Sequence, residues 1–289
     1  MKQKKSHWQK KKRKLLRRWG HQKNILKKHF GSWEGIKKLF FHYWIQMRIF
    51  IGVGGIKPYK MTLHMLEQNA DFIVLNKPAG ALVHPTKFND PDTILNGLLF
   101  HLGMTGNKHP NMPGPVSRLD RDTSGVILFA ISKPAKSELG KIMMKRGFGK
   151  KYLTLVIGKT EQKGEITSPL IKRTDRNLMK VDENGKDSHT KFNTLFYNKE
   201  ENVSFVEVEI LTGRMHQIRI HMSSIGHPVV GDILYGDEKM NKHFASTYNL
   251  KRQFLHAHQL TWDDKKFIAP LPELCEKIRQ ALSKSTFIT

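Results

Sequence analysis

The sequence predicts an α+β fold: a central, largely antiparallel or mixed β-sheet with flanking helices and loops. Three observations carry this. "HTKFNTLFY" (189–197) and "VSFVEVEIL" (203–211) are extended runs joined by the short polar connection "NKEEN", the pattern of a hairpin. "VILFA" (126–130) is apolar without a break and reads as a buried strand. Helical periodicity occurs only in scattered segments between such runs, as expected for strands in runs rather than alternating βα units.

Taken in order, "DFIVLNKPAG" (71–80) reads as a short apolar strand ending in a Pro-x-Gly turn. In "DPDTILNGLLFHLG" (90–103), Ile94, Leu95, Leu98, Leu99 and Leu102 recur at helical spacing, with Asp92 as N-cap and Gly103 as stop. Residues 104–115 hold glycine and proline breakers and read as a loop. After the 126–130 strand, a helix runs from Pro134, a favoured first-turn residue, to Gly147. Ala135, Leu139, Ile142 and Met143 form its inward stripe. "KYLTLVIG" (151–158) is a further strand, and the 189–211 hairpin follows. "RMHQIRIHMSSIG" (214–226) reads as a helix closed by Gly226. "RQFLHAHQLTW" (252–262) is a late strand, and "LPELCEKIRQALSK" (271–284) a final helix with Pro272 in its first turn.

Composition narrows the function. The chain has 289 residues, 38% hydrophobic and 26% charged, so a sizeable core is available. The net charge of +25 makes anionic partners the first suspects, nucleic acid above all. The excess is concentrated: residues 1–60 carry 18 Lys and Arg against one acid, Glu34. Residues 1–60 are therefore read as a basic N-terminal extension and 61–289 as the main domain. A single cysteine, Cys275, rules out an internal disulfide and a cysteine-based zinc site. "LFFHYWIQMRIFIGVGG" (39–55) is interrupted by His42, Gln46 and Arg48, which argues against both a signal peptide and a membrane span. A soluble, cytoplasmic monomer is the expectation.

The chemistry centres on "PGPVSRLDRDTSGVILFAISK" (113–133), which sets Asp120 and Asp122 among Arg118 and Arg121. Neighbouring positive charge favours an ionised carboxylate, which can act as a nucleophile or stabilise an oxocarbenium-like sugar centre. The plainer reading of an Arg-x-Asp motif is a salt-bridged turn capping the strand. Asp122 suits a turn-forming role, and Thr123-Ser124-Gly125 a tight turn that fixes the Asp120 loop. Ser124 lacks the Gly-x-Ser-x-Gly setting of a nucleophile. Tyr152 follows the basic residues Lys145, Arg146, Lys150 and Lys151, which suits stacking on a base, although an ordinary strand aromatic is commoner. Arg214 stands at a strand-to-helix junction that favours anions, with Arg219 and His221 further along. His216, His221, His256 and His258 raise the weaker alternative of a metal-dependent hydrolase, without any paired-ligand spacing to support it.

Five segments in order resemble the RluA family of RNA pseudouridine synthases, over about residues 70–285. They are "FIVLNKPAGALVHP" (72–85), "SRLDRDTSGVILFA" (117–130), "KKYLTLVIG" (150–158), "LTGRMHQIRIHMSSIGHPVVGDILYG" (211–236) and "LHAHQL" (255–260). The resemblance implies the pseudouridine synthase catalytic fold. It also implies isomerisation of uridines in ribosomal or transfer RNA, with no metal and no cofactor. It implies Asp120 as the catalytic carboxylate and Tyr152 as the residue that stacks on uracil and assists removal of the C5 proton. Arg214 would be the partner that pairs with Asp120. Lys77, His84, Arg118, Arg121, Lys151 and Arg219, within or beside the same motifs, become the expected RNA-binding side chains. Two features depart from the family pattern. Ser117 stands where many relatives carry His, which touches only a supporting hydrogen bond. The N-terminal S4-type RNA-binding module of relatives is degenerate or absent in residues 1–60. A catalytically inactive RNA-binding protein of the same fold is the competing expectation.

Overall fold

The computed structural model describes residues 56–86, 90–104, 111–173 and 178–284. The expectations for residues 1–55, including the degenerate S4-like module, lie outside them. Among the described residues, β1 (Met65–Gln68) and β2 (Phe72–Lys77) lead into helix α1 (Ile94–His101). Then come β3 (Gly114–Pro115), β4 (Ser124–Ala130), helix α2 (Lys133–Met144), β5 (Gly149–Ile157) and β6 (Lys163–Ile166). The short strands β7 (Leu170–Lys172) and β8 (Met179–Val181) precede the long hairpin β9 (Thr190–Asn198) and β10 (Val203–Ile210). Helices α3 (Gln217–Ser224) and α4 (Glu238–Tyr248), strands β11 (Leu255–Trp262) and β12 (Lys265–Ile268), and helix α5 (Glu273–Lys284) complete the chain.

The main sheet has the order β1-β2-β4-β11-β5-β10-β9-β6, with β12 beside β11 and β3 beside β4; β7 and β8 form a separate pair. Every pairing is antiparallel except β4 with β11. The sheet is therefore mixed, as the alternation of runs and hairpins predicted. Strand β4 is buried at every residue, which explains its lack of alternation: both faces carry core. On one face, Ile73, Leu75, Ile127 and Phe129 pack with Ile94, Leu95 and Leu98 of α1. On the other, Val74, Val126 and Leu128 pack with Ala135 and Leu139 of α2, while Ile142 and Met143 are partly buried against that cluster.

Several ends differ from the sequence reading. Thr93, not Asp92, caps α1: its side chain accepts from Asn96 N. Ser132 caps α2, whose helical turns end at Met144. Helix α3 starts at Gln217 rather than at 214, because His216 takes a left-handed conformation with φ +56°. Among the described residues no helix is long and apolar enough to cross a membrane.

Candidate active site

Asp120 sits on the loop entering β4, with its side chain 26% exposed. The sequence reading paired it with the neighbouring arginines or with Arg214. The structure brings Arg219 instead, from the first turn of α3: its Nη1 donates to Asp120 Oδ2 at 3.0 Å. Arg214 donates from Nε to the Asp187 carbonyl at 3.0 Å. The correction is geometric. The left-handed His216 starts the helix at Gln217, which leaves Arg214 ahead of it, facing Asp187 O, and puts Arg219 in its first turn, facing Asp120.

Arg219 is held from the far side. Its Nε donates to Asp232 Oδ2 at 2.6 Å and its Nη2 to Asp232 Oδ1 at 2.8 Å, a two-pronged pairing that fixes the guanidinium plane. Asp232 is fully buried, and Arg219 is 4% exposed. Burial disfavours the Asp232 carboxylate, but the Arg219 contacts and the backbone N–H of Leu234 and Tyr235 more than offset it. Its pKa therefore falls below the usual value. Burial likewise opposes the Arg219 charge, and Asp232 with Asp120 overrides it. The sequence reading placed Arg219 on RNA; its burial and its three bonds to carboxylates make it a strut behind Asp120 instead. Asp232 was not anticipated. The signal available was an acid within the otherwise apolar "PVVGDILYG".

His216 and Tyr235 complete this side. His216 Nε2 lies 3.9 Å from Asp120 Oδ2, and its Nδ1 is bonded to the Tyr235 hydroxyl at 2.9 Å. The same hydroxyl accepts from Met179 N, and the Tyr235 ring lies 5.2 Å from the Arg219 guanidinium. Burial lowers the His216 pKa, against the pull of Asp120. A left-handed histidine backbone is uncommon and persists where surrounding contacts hold it.

From below, the Asp120 loop is held by its own carbonyls. Lys77 is completely buried. Its Nζ donates to Pro78 O at 2.9 Å, Ala81 O at 2.8 Å and Arg121 O at 2.8 Å. Burial pulls its pKa down to about 7, yet three carbonyl acceptors match the three N–H of an ammonium, which a neutral amine could not supply. The expectation that Lys77 binds RNA is thereby corrected: it has no exposed surface, and it braces the loop. Arg252 donates to the next carbonyl, Asp122 O, at 3.1 Å. Ser124 Oγ is 2.9 Å from His256 Nδ1, and Thr123 N donates to Asp120 O at 3.2 Å. The expected tight turn over Thr123-Ser124-Gly125 is corrected: the turn lies at Arg121-Asp122, and Ser124 and Gly125 already belong to β4, paired with His256 and Ala257 of β11.

Tyr152 on β5 pairs in register with Val208 of β10 and Ala257 of β11. It is 8% exposed, and its phenol is pushed up by burial and then by the charge of Asp120. Arg118 and Arg121 are exposed, and Arg121 Nε also donates to Gly80 O at 3.0 Å. His84 is exposed, and Lys151 pairs with Glu207 at 2.8 Å. The four histidines do not converge. His221 bonds Thr190 and Ser168, while His256 and His258 both face the Ala269 carbonyl. Among the described residues no group of three or more His, Cys, Asp or Glu side chains is arranged to hold a metal ion.

The family model described as RNA pseudouridylate synthase matches residues 71–224, which span Asp120, Tyr152 and Arg219. The chain belongs to this family. Ribosomal large subunit pseudouridine synthase D of Vibrio vulnificus is 34% identical over 237 residues, covering 76% of this chain and 72% of that protein. The enzyme of the same name from Zymomonas mobilis is 31% identical over 227 residues, covering 75% and 72%. The solved structure of human RNA Pseudouridylate Synthase Domain Containing 1 superposes with a TM-score of 0.60 at 26% identity, covering 77% of this chain and 95% of that one. This pseudouridine synthase is therefore an isomerase acting on RNA, and its mixed sheet is the family's fold.

Proposed function

We propose that the synthase isomerises uridines in structured RNA, ribosomal RNA first, with Asp120 as the catalytic carboxylate. The observation that carries this reading is the line Asp120–Arg219–Asp232. It leaves one carboxylate partly open to substrate and fixes it through a buried guanidinium. Isomerisation breaks the N1–C1′ bond, turns the uracil, joins C5 to C1′, removes the C5 proton and leaves a proton on N1. A carboxylate beside C1′ either attacks it or supports its developing positive charge. The uridine must leave its stack to reach it. Tyr152 forms the wall for the uracil face; a buried phenol held neutral suits stacking better than proton removal. Arg118 and Arg121, both exposed on the same loop, meet phosphates. Residues 1–60 add a basic extension that raises RNA affinity, and the enzyme works as a cytoplasmic monomer. The large-subunit relatives named above support ribosomal RNA as the first substrate to test.

The test is Asp120→Asn, with pseudouridines mapped in ribosomal and transfer RNA from cells carrying either form. Sites present with the wild type vanish with the variant, while RNA binding changes little, because affinity rests mainly on phosphate contacts. Full turnover by the variant would remove Asp120 from the chemistry. An unchanged map on deleting the gene would favour the inactive RNA-binding protein.

A further inference from the structure

Ile233 is 80% exposed, more than any other large apolar side chain among the described residues, and Leu234 beside it is 46% exposed. A single apolar side chain on a surface is ordinary and needs no explanation. This pair differs in two ways. First, it stands on a rigid tip. Asp232 Oδ1 accepts from Leu234 N at 2.9 Å and Tyr235 N at 3.1 Å, and Gly236 N donates to Asp232 O at 3.0 Å. Asn241 ties the same turn from α4, donating to Asp232 O and accepting from Gly231 N. Second, its turn is linked to the reaction site through Arg219. The Asp232 carboxylate that shapes the turn is one guanidinium away from Asp120.

We propose that Ile233 and Leu234 form an apolar ledge against the base or ribose of a nucleotide next to the target uridine. The ledge holds open the gap left when that uridine enters the site. The established substrate supplies the occupant. Extruding a nucleotide exposes the faces of its neighbours, and apolar side chains packed on unstacked bases are a general way to offset that loss. Charge beside the turn is balanced, with exposed Asp237 and Glu238 set against exposed Lys239 and Lys242, so the apolar character of Ile233 and Leu234 is what selects a base or sugar. The ledge rests on the assignment of Asp120 as the reacting group only for its position.

A benzophenone side chain introduced at Ile233 of the full chain tests the contact, using total RNA from cells lacking the enzyme. Irradiation is expected to crosslink RNA adjacent to the uridines the enzyme modifies, read as reverse-transcription stops. The same crosslinks are expected with Asp120→Asn added, so that failure of the ledge and failure of the Asp120 assignment are told apart. The double variant Ile233→Ser, Leu234→Ser should melt like the wild type and modify that RNA about tenfold or more slowly at limiting enzyme. At saturating enzyme the loss should shrink to about threefold or less. Ile268→Ser, an apolar-to-polar change on β12, serves as control and should leave both rates unchanged. Crosslinks scattered along RNA, crosslinks to a second copy of the chain, or wild-type rates for the double variant would each overturn the proposal.

Discussion

Acid should weaken this enzyme through His256. The ring is completely buried, with Nε2 facing the Ala269 carbonyl at 3.1 Å and Nδ1 the Ser124 hydroxyl at 2.9 Å. A carbonyl only accepts, so Nε2 carries the proton and Nδ1 accepts from Ser124. Burial, reinforced by the charges of His258 and Arg252, lowers its pKa from 6.5 to about 4. Between those values the unfolded chain binds a proton that the folded chain refuses. Stability from this group is thus fully present above 6.5 and is lost as pH falls towards 4. Linkage gives about 2 kcal/mol lost by pH 5 and ~3 kcal/mol below pH 4. His216 and His221 are lowered in the same direction and add to the slope in the wild type. Comparison with His256→Gln isolates the one ring. Urea unfolding of both proteins at pH 7 and pH 5 should show the wild type losing about 2 kcal/mol more than the variant over that interval. Equal losses would refute the assignment of a neutral, buried imidazole behind the Asp120 loop.

Arg219→Met should destabilise by about 3–5 kcal/mol, since it strands the buried Asp232 carboxylate, and should abolish turnover. Arg219→Lys keeps the charge without the fork and should recover little activity in a single-turnover assay. Arg214→Ala, which breaks a bond to the Asp187 carbonyl, should cost far less. Lys77→Met leaves three carbonyls without their donor; it should lower both the melting temperature and the single-turnover rate, with a stability cost of about 3 kcal/mol. Gly125→Ala should unfold or nearly unfold the domain by calorimetry. A Cβ there would lie 2.1 Å from Ala257 O, at a φ of +115° that L-residues avoid.

Legibility in the sequence followed the length and burial of each element. Strand β4, the β9–β10 hairpin and α5 were plain because their apolar residues fill several positions of one period. Strands β1, β6, β7, β8 and β12 escaped notice because three or four residues, half of them exposed, carry no period to count. Helix α4 was missed although both ends were marked, Asp237 accepting from Met240 N and Asn249 in a left-handed cap; Phe244 is its one fully buried residue. The site was half legible. Asp120 and Tyr152 stand in distinctive local settings, but the partner of Asp120 comes from 99 residues away. Choosing between Arg214 and Arg219 required the helix start, which a left-handed histidine moved. Lys77 looked like an RNA contact because a lysine is normally exposed. Only the closure of two turns around it, at Ala81 and Arg121, makes burial tolerable.

The parallel pairing of β4 with β11 joins residues about 130 positions apart, Ser124 with His256 and Gly125 with Ala257. Strand β11 also borders β5, so the middle of the sheet is completed by a segment synthesised long after both of its neighbours. A nascent chain halted before Leu255 would present two unpaired inner edges and an Asp120 loop lacking its His256 anchor. Such edges recruit other chains, and contacts this distant in sequence form slowly. Synthesis of β11 thus separates a sticky, inert precursor from a working enzyme, and nonsense mutations before Leu255 should yield aggregates rather than partial activity.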